Sequence, residues 1–139
     1  MRFMILVRAN AQSESEAAPN HVDDRLMAAM ADYHEQLAAA GVLLDASGLH
    51  PSVKGWRIHY SGGRQHVIDG PFAETKELIA GYTIIQVRSR DEALEWTRRF
   101  PAPFGEMSDC EIEVRQLFEF DDFVPTPSVD RFRALGTGG

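Results

Sequence analysis

The side chains with chemistry to offer are few and scattered: Asp69 before a Gly70-Pro71 bend, five histidines, one cysteine, and arginines close to strand ends. Asp69 closes an alternating run, so its carboxylate can accept from its own downstream N–H groups and hold a structural turn. Partly buried, the same carboxylate would titrate away from its ordinary range and serve as a general acid or base. His59 and Tyr33 are the helpers expected beside it. Phe72 and Glu74, with Lys76, would line the mouth of a cleft, and Arg8 or Arg57 would contact an anionic group on a small organic ligand. The same types have plainer readings. Glu74, Lys76 and Glu77 suit one solvated helical turn, and His59 and His66 suit cross-strand packing. Histidines at 21, 34, 50, 59 and 66 form no His-x₃-His pair, and a lone Cys110 between Asp109 and Glu111 reads as a buried, inert thiol. The sequence has no Gly-x-Ser-x-Gly, Walker A or dinucleotide fingerprint. Neither a metal nor a cofactor is expected.

The elements that must position these groups follow from periodicity. Residues 2–9 alternate as a strand, with Phe3, Ile5 and Val7 on one face and Met4 and Leu6 on the other. A polar loop over 10–20 precedes a helix over about 21–40, whose stripe is Val22, Leu26, Met30, Tyr33, Leu37 and Ala40. Asn20 is its expected N-cap, Asp23 sits in the first turn, and Gly41 is the C′ residue. His34 falls off the stripe and is expected at the surface. An extended run from Val42 ends near Leu49-His50-Pro51. Two alternating runs around Gly62-Gly63, within 55–68, predict a β-hairpin. A strand over 81–88 leads to a helix opened by a Ser89…Glu92 capping box and stopped by Pro101. A final strand spans Cys110 to Phe118.

That order is a split β-α-β arrangement: an α+β, ferredoxin-like protomer with an antiparallel sheet and both helices on one face. Met4, Leu6 and part of the strand at 82–87 then face away from the helices. A second copy of the chain is the simplest cover, so a homodimer is expected.

Composition narrows the function. Fourteen basic against twenty-one acidic residues leave a net charge of −7, which disfavours nucleic-acid binding. No apolar run reaches the roughly 20 residues of a membrane span. A single cysteine and an N-terminus without signal-peptide character point to the cytoplasm. Seven carboxylates against Arg115 between 106 and 122 read as a solvated face, or as a surface for a basic partner. Beyond residue 120, Phe123, Phe132 and Leu135 look like anchors of a tail that docks, on this chain or a second one.

The segment Asp69-Gly70-Pro71-Phe72-Ala73-Glu74-Thr75-Lys76-Glu77-Leu78-Ile79-Ala80-Gly81-Tyr82 closely resembles the DGPF motif of the YciI-like, or YCII-related, family. Tyr33-His34-Glu35-Gln36-Leu37, Gly48-Leu49-His50-Pro51 and Asp91-Glu92-Ala93 with Glu95-Trp96 support it. The resemblance covers residues 1–120 and implies a YCII-related domain followed by a tail over 121–139. It also implies a dimeric α/β barrel of ferredoxin-like protomers. Members are linked to aromatic-ring dechlorination and, by gene neighbourhood, to alternative sigma factors. Two functions are therefore expected to compete: a small-molecule enzyme or binder using a cleft near the Asp69 turn, and a non-catalytic dimeric accessory to a protein partner.

Overall fold

Strand β1 (Arg2–Arg8) buries Phe3 and Ile5 on one side and leaves Met4 and Leu6 half-buried on the other, the period-two pattern of a central strand. The computed structural model describes residues 1–15 and 23–136. Helix α1 (Asp24–Ala39) leads to β2 (Leu43–Gly48), then to the hairpin strands β3 (Trp56–Ser61) and β4 (Arg64–Asp69). Strand β5 (Ile79–Gln86), helix α2 (Arg90–Arg98), strand β6 (Ile112–Gln116) and helix α3 (Pro127–Ala134) complete the order. The main sheet runs β2-β5-β1-β6 with every neighbouring pair antiparallel, which is the split β-α-β order. Strands β3 and β4 do not join it. They form a separate two-stranded sheet, inserted between β2 and β5.

The core lies between this sheet and the first two helices. Phe3, Ile5, Ile85 and Val87 from the sheet meet Tyr33 and Leu37 of α1 and Ala93 of α2, with Trp96 and Phe100 packed against them. On the opposite face, register pairs Met4 with Ile84 and Leu6 with Tyr82, all four half-buried.

Several ends differ from expectation. Asp23, not Asn20, caps α1: its carboxylate accepts from the Arg25 N–H at 3.0 Å. The expected cap and the stripe's first residue, Val22, lie outside the described residues, as does His21. Gly41 closes the helix at φ +74°, where only glycine is free of strain. At α2, Ser89 Oγ accepts from Glu92 N at 3.1 Å, while Glu92 Oε2 accepts from Arg88 N at 2.9 Å, one residue ahead of the cap. Strand β6 opens at Ile112, so half-buried Cys110 precedes it. The tail is not featureless: Thr126 accepts from Val129 N and Pro127 starts α3. Its anchors Phe132 and Leu135 stay exposed on this chain.

His34 is the clearest departure. It is half-buried, with Nδ1 2.7 Å from the Met30 carbonyl and Nε2 2.8 Å from Thr83 Oγ1. A carbonyl only accepts, so Nδ1 carries a proton, and in the neutral ring Nε2 accepts from the threonine hydroxyl. Among the described residues no helix is long and apolar enough to cross a membrane.

Candidate functional site

The bend after β4 is built by contact with a distant turn. A 3₁₀ turn at Ser52–Lys54 follows Pro51, and the Gly55 carbonyl beyond it accepts from Gly70 N at 3.0 Å. Phe72 N donates to Ser52 Oγ, also at 3.0 Å. These are the downstream N–H groups expected to bind Asp69, and the 52–55 turn takes them instead. Asp69 itself is exposed, without the partial burial its catalytic reading requires. Ser52 is held in turn by Glu14, whose carboxylate accepts from both the Ser52 hydroxyl and its N–H, the latter at 3.0 Å. Glu14 is positioned by a turn in which Ser13 N donates to Asn10 Oδ1 and Asn10 N donates to Ser13 Oγ, each at 2.9 Å. A continuous chain of hydrogen bonds thus runs from the loop after β1, through Glu14 and Ser52, to the backbone of Phe72.

Two clefts flank this chain. The smaller, about 370 Å³, is walled by Phe72, Leu78 and Ile79 and edged by Glu14, Ser52 and Lys54. The larger, about 700 Å³, lies between the start of α1, the end of β2 and the loop at Pro103–Gly105, with Asp23, Ser13 and Phe104 among its walls. Leu49, His50 and Pro51 belong to both, so His50 stands at their junction. The Arg57 guanidinium lies over the Phe72 ring, 3.8 Å from its centroid, placing a cation against a residue of the smaller cleft's wall. The arrangement suits an apolar or aromatic body carrying an acidic group, with a histidine within reach for proton transfer.

Of the residues expected from sequence, the structure brings Phe72 and Arg57 together and leaves the others apart. Register pairs Asp69 with Trp56 and His59 with His66, so strand alternation puts Asp69 and His59 on opposite faces of the hairpin. Glu74 is exposed at φ +57° and caps the next 3₁₀ turn, Thr75–Glu77. Arg8 is on the main sheet, its Nη1 3.4 Å from Glu113 Oε1. Tyr33 is in the core, only 3% exposed, and its hydroxyl donates to the Trp96 carbonyl at 2.8 Å.

Burial pushes the Tyr33 phenol up to about 12 from its ordinary 10.0, against an opposing pull from Arg99. A folded-state value above the unfolded one means stabilisation that is complete below pH 10 and lost as pH rises toward 12. Unfolding by urea between about pH 9 and 12 is therefore expected to show roughly 2 kcal/mol of alkaline loss from this group. Tyr33→Phe should flatten that slope; an unchanged slope would rule out the assignment.

Glu14, Ser52 and His50 are the site residues that sequence reasoning passed over. Ser52 and Glu14 are 38 positions apart, joined by tertiary contact alone. Among the described residues no three His, Cys, Asp or Glu side chains gather as a metal site would need.

A family model described as the YCII-related domain matches residues 1–121. An uncharacterised protein, R00369, of Rhizobium meliloti (strain 1021) is 35% identical over 89 residues, which are 64% of this chain and 72% of that protein. The solved 5-chloro-2-hydroxyhydroquinone dehydrochlorinase of Burkholderia phenoliruptrix AC1100, in complex with 2,5-dihydroxybenzoquinone, aligns at a TM-score of 0.44 and 17% identity. That alignment covers 86% of this chain and 95% of that one.

Proposed function

The chain belongs to the YCII-related domain family, and on that premise we propose that it binds a small organic acid or phenol across the two clefts that meet at His50. The observation that carries this reading is the Glu14–Ser52–Phe72 chain of hydrogen bonds, which fixes the motif's turn as one wall of a preformed cleft. Apolar walls would take the body of the ligand, and Lys54 and Arg57 would favour an anionic form. His50, exposed at the junction of the two clefts, would be the group for proton transfer, since Asp69 lines neither of them. Across the open face of the sheet, the half-buried row of Met4, Leu6, Tyr82 and Ile84 suits a second copy, which would give the dimeric α/β barrel.

A thermal-shift screen over small organic acids and phenols tests the reading. A hit should raise the melting temperature of the wild type, and Phe72→Ala should weaken binding by about tenfold or more by removing the aromatic wall. His50→Ala should separate binding from chemistry, lowering any turnover more than affinity. Hits that bind Phe72→Ala and wild type equally would place the ligand elsewhere.

A further inference from the structure

We propose that one face of the β3–β4 hairpin, carrying Arg57, His59, Ser61, Arg64 and His66, binds a short multivalent phosphate such as a di- or triphosphate group. Cross-strand register fixes this face: Arg57 lies opposite Ile68, His59 directly opposite His66, and Ser61 opposite Arg64, all of them exposed. The hairpin's one carboxylate, Asp69, pairs with Trp56 and so shares the other face with Ile58, Tyr60 and Val67. No acidic side chain of the hairpin therefore interrupts the basic row. Among the described residues the Arg64 guanidinium and both imidazoles have no hydrogen-bond or ion-pair partner, and Arg57 has only the Phe72 ring beneath it. Elsewhere Arg2, Arg8, Arg115 and Arg133 each meet a carboxylate.

These donors suit phosphate groups better than a single carboxylate. Stacking occupies the flat face of the Arg57 guanidinium and leaves its N–H edge free, and such an edge matches two oxygens of a phosphate. A neutral imidazole donates through one ring nitrogen, so the histidine pair adds two donors midway between the arginine rows, and Ser61 adds a hydroxyl. Along the strand those rows are about 13 Å apart, a gap that two long side chains reaching inward can close around two or three linked phosphates. A longer polyanion is opposed by the rest of the molecule, whose net charge is −7. Arg64 and the two histidines line neither cleft, so phosphate binding here does not require either cleft to be filled.

Isothermal titration calorimetry of the full chain at low salt, with inorganic pyrophosphate and with inorganic triphosphate, tests it. Both should bind, triphosphate the more tightly. Arg57→Ala and Arg64→Ala should each weaken binding about tenfold or more, as loss of a charge-assisted bidentate contact does, and Arg64→Lys should recover only part of the affinity. His59→Ala combined with His66→Ala should weaken it as well. Arg98→Ala, at an exposed arginine of α2, should bind as the wild type does. The hairpin positions are all exposed, so circular dichroism and the urea midpoint should stay those of the wild type. Arg64→Ala should also keep wild-type affinity for any organic acid that the thermal screen finds, which separates this site from the clefts. Absence of binding by either phosphate, an affinity indifferent to the Arg57 and Arg64 substitutions, or an equal loss in Arg98→Ala would overturn the proposal. A single-stranded oligothymidylate bound far more tightly than triphosphate would overturn it too, by assigning the face to nucleic acid.

Discussion

Gly70→Ala is expected to cost about 3 kcal/mol or more, and to lower the melting temperature by roughly 10 °C. A Cβ at this position would lie 1.8 Å from the Ser52 carbonyl oxygen, 2.6 Å from its carbon and 3.2 Å from Val53 Cα. All three are backbone atoms of the turn on which the bend rests, so no side-chain rotation relieves the overlap. The bend must lift away, and it takes with it the Gly70–Gly55 and Phe72–Ser52 hydrogen bonds. Ligand binding at the smaller cleft should fall with stability, because Phe72 leaves the wall. Gly48→Ala is the matched control: nothing lies within 4 Å of its added Cβ, so it should shift stability by no more than about 1 kcal/mol. Differential scanning calorimetry of both variants decides the matter. A Gly70→Ala protein that melts with the control would mean the bend does not sit on the 52–55 turn.

Leu37→Ala should be comparably damaging for a different reason. Leu37 is fully buried and is the α1 residue most deeply set in the core beside Ile5 and Ile85. Truncation removes the transfer energy of its methyl groups and leaves a cavity that a sheet on one side and two helices on the other cannot close. Such changes cost 2 to 5 kcal/mol, about a third of a typical domain's stability. The urea midpoint should fall with the slope unchanged. Met27→Ala, on the same helix but half exposed, should cost much less. Equal losses at the two positions would contradict the face assigned to α1.

The sheet and helices were legible because burial in them is periodic. Phe3 and Ile5 alternate with Met4 and Leu6, and Tyr33 and Leu37 share one helical stripe, so each element announced its inner face. Reading chemistry from residue type alone was less secure. Tyr33 was a candidate helper by its hydroxyl and a core residue by its spacing, and the spacing prevailed. Phe72 and Arg57 were both named as ligand contacts, and they meet across the bend. Glu14 and Ser52 carried no signal, since each sits in a loop without period and their partnership exists only after folding. His34 was misplaced because one step from the stripe is still close enough for a long side chain to reach Thr83 on the sheet.

The main sheet ends in β2 and β6, each with one side of its backbone unpaired in the sheet. Bare strand edges invite fibril growth by stacking of further molecules, and both edges here are poor templates. The β2 edge is broken in register between Leu43 and Asp45, so an incoming strand finds no regular row of amides to match. The β6 edge carries Glu113 and Arg115, paired at 3.2 Å, and a flat stack would have to bring like charges into line along the fibril axis. The two outermost strands are thus built against edge-to-edge pairing.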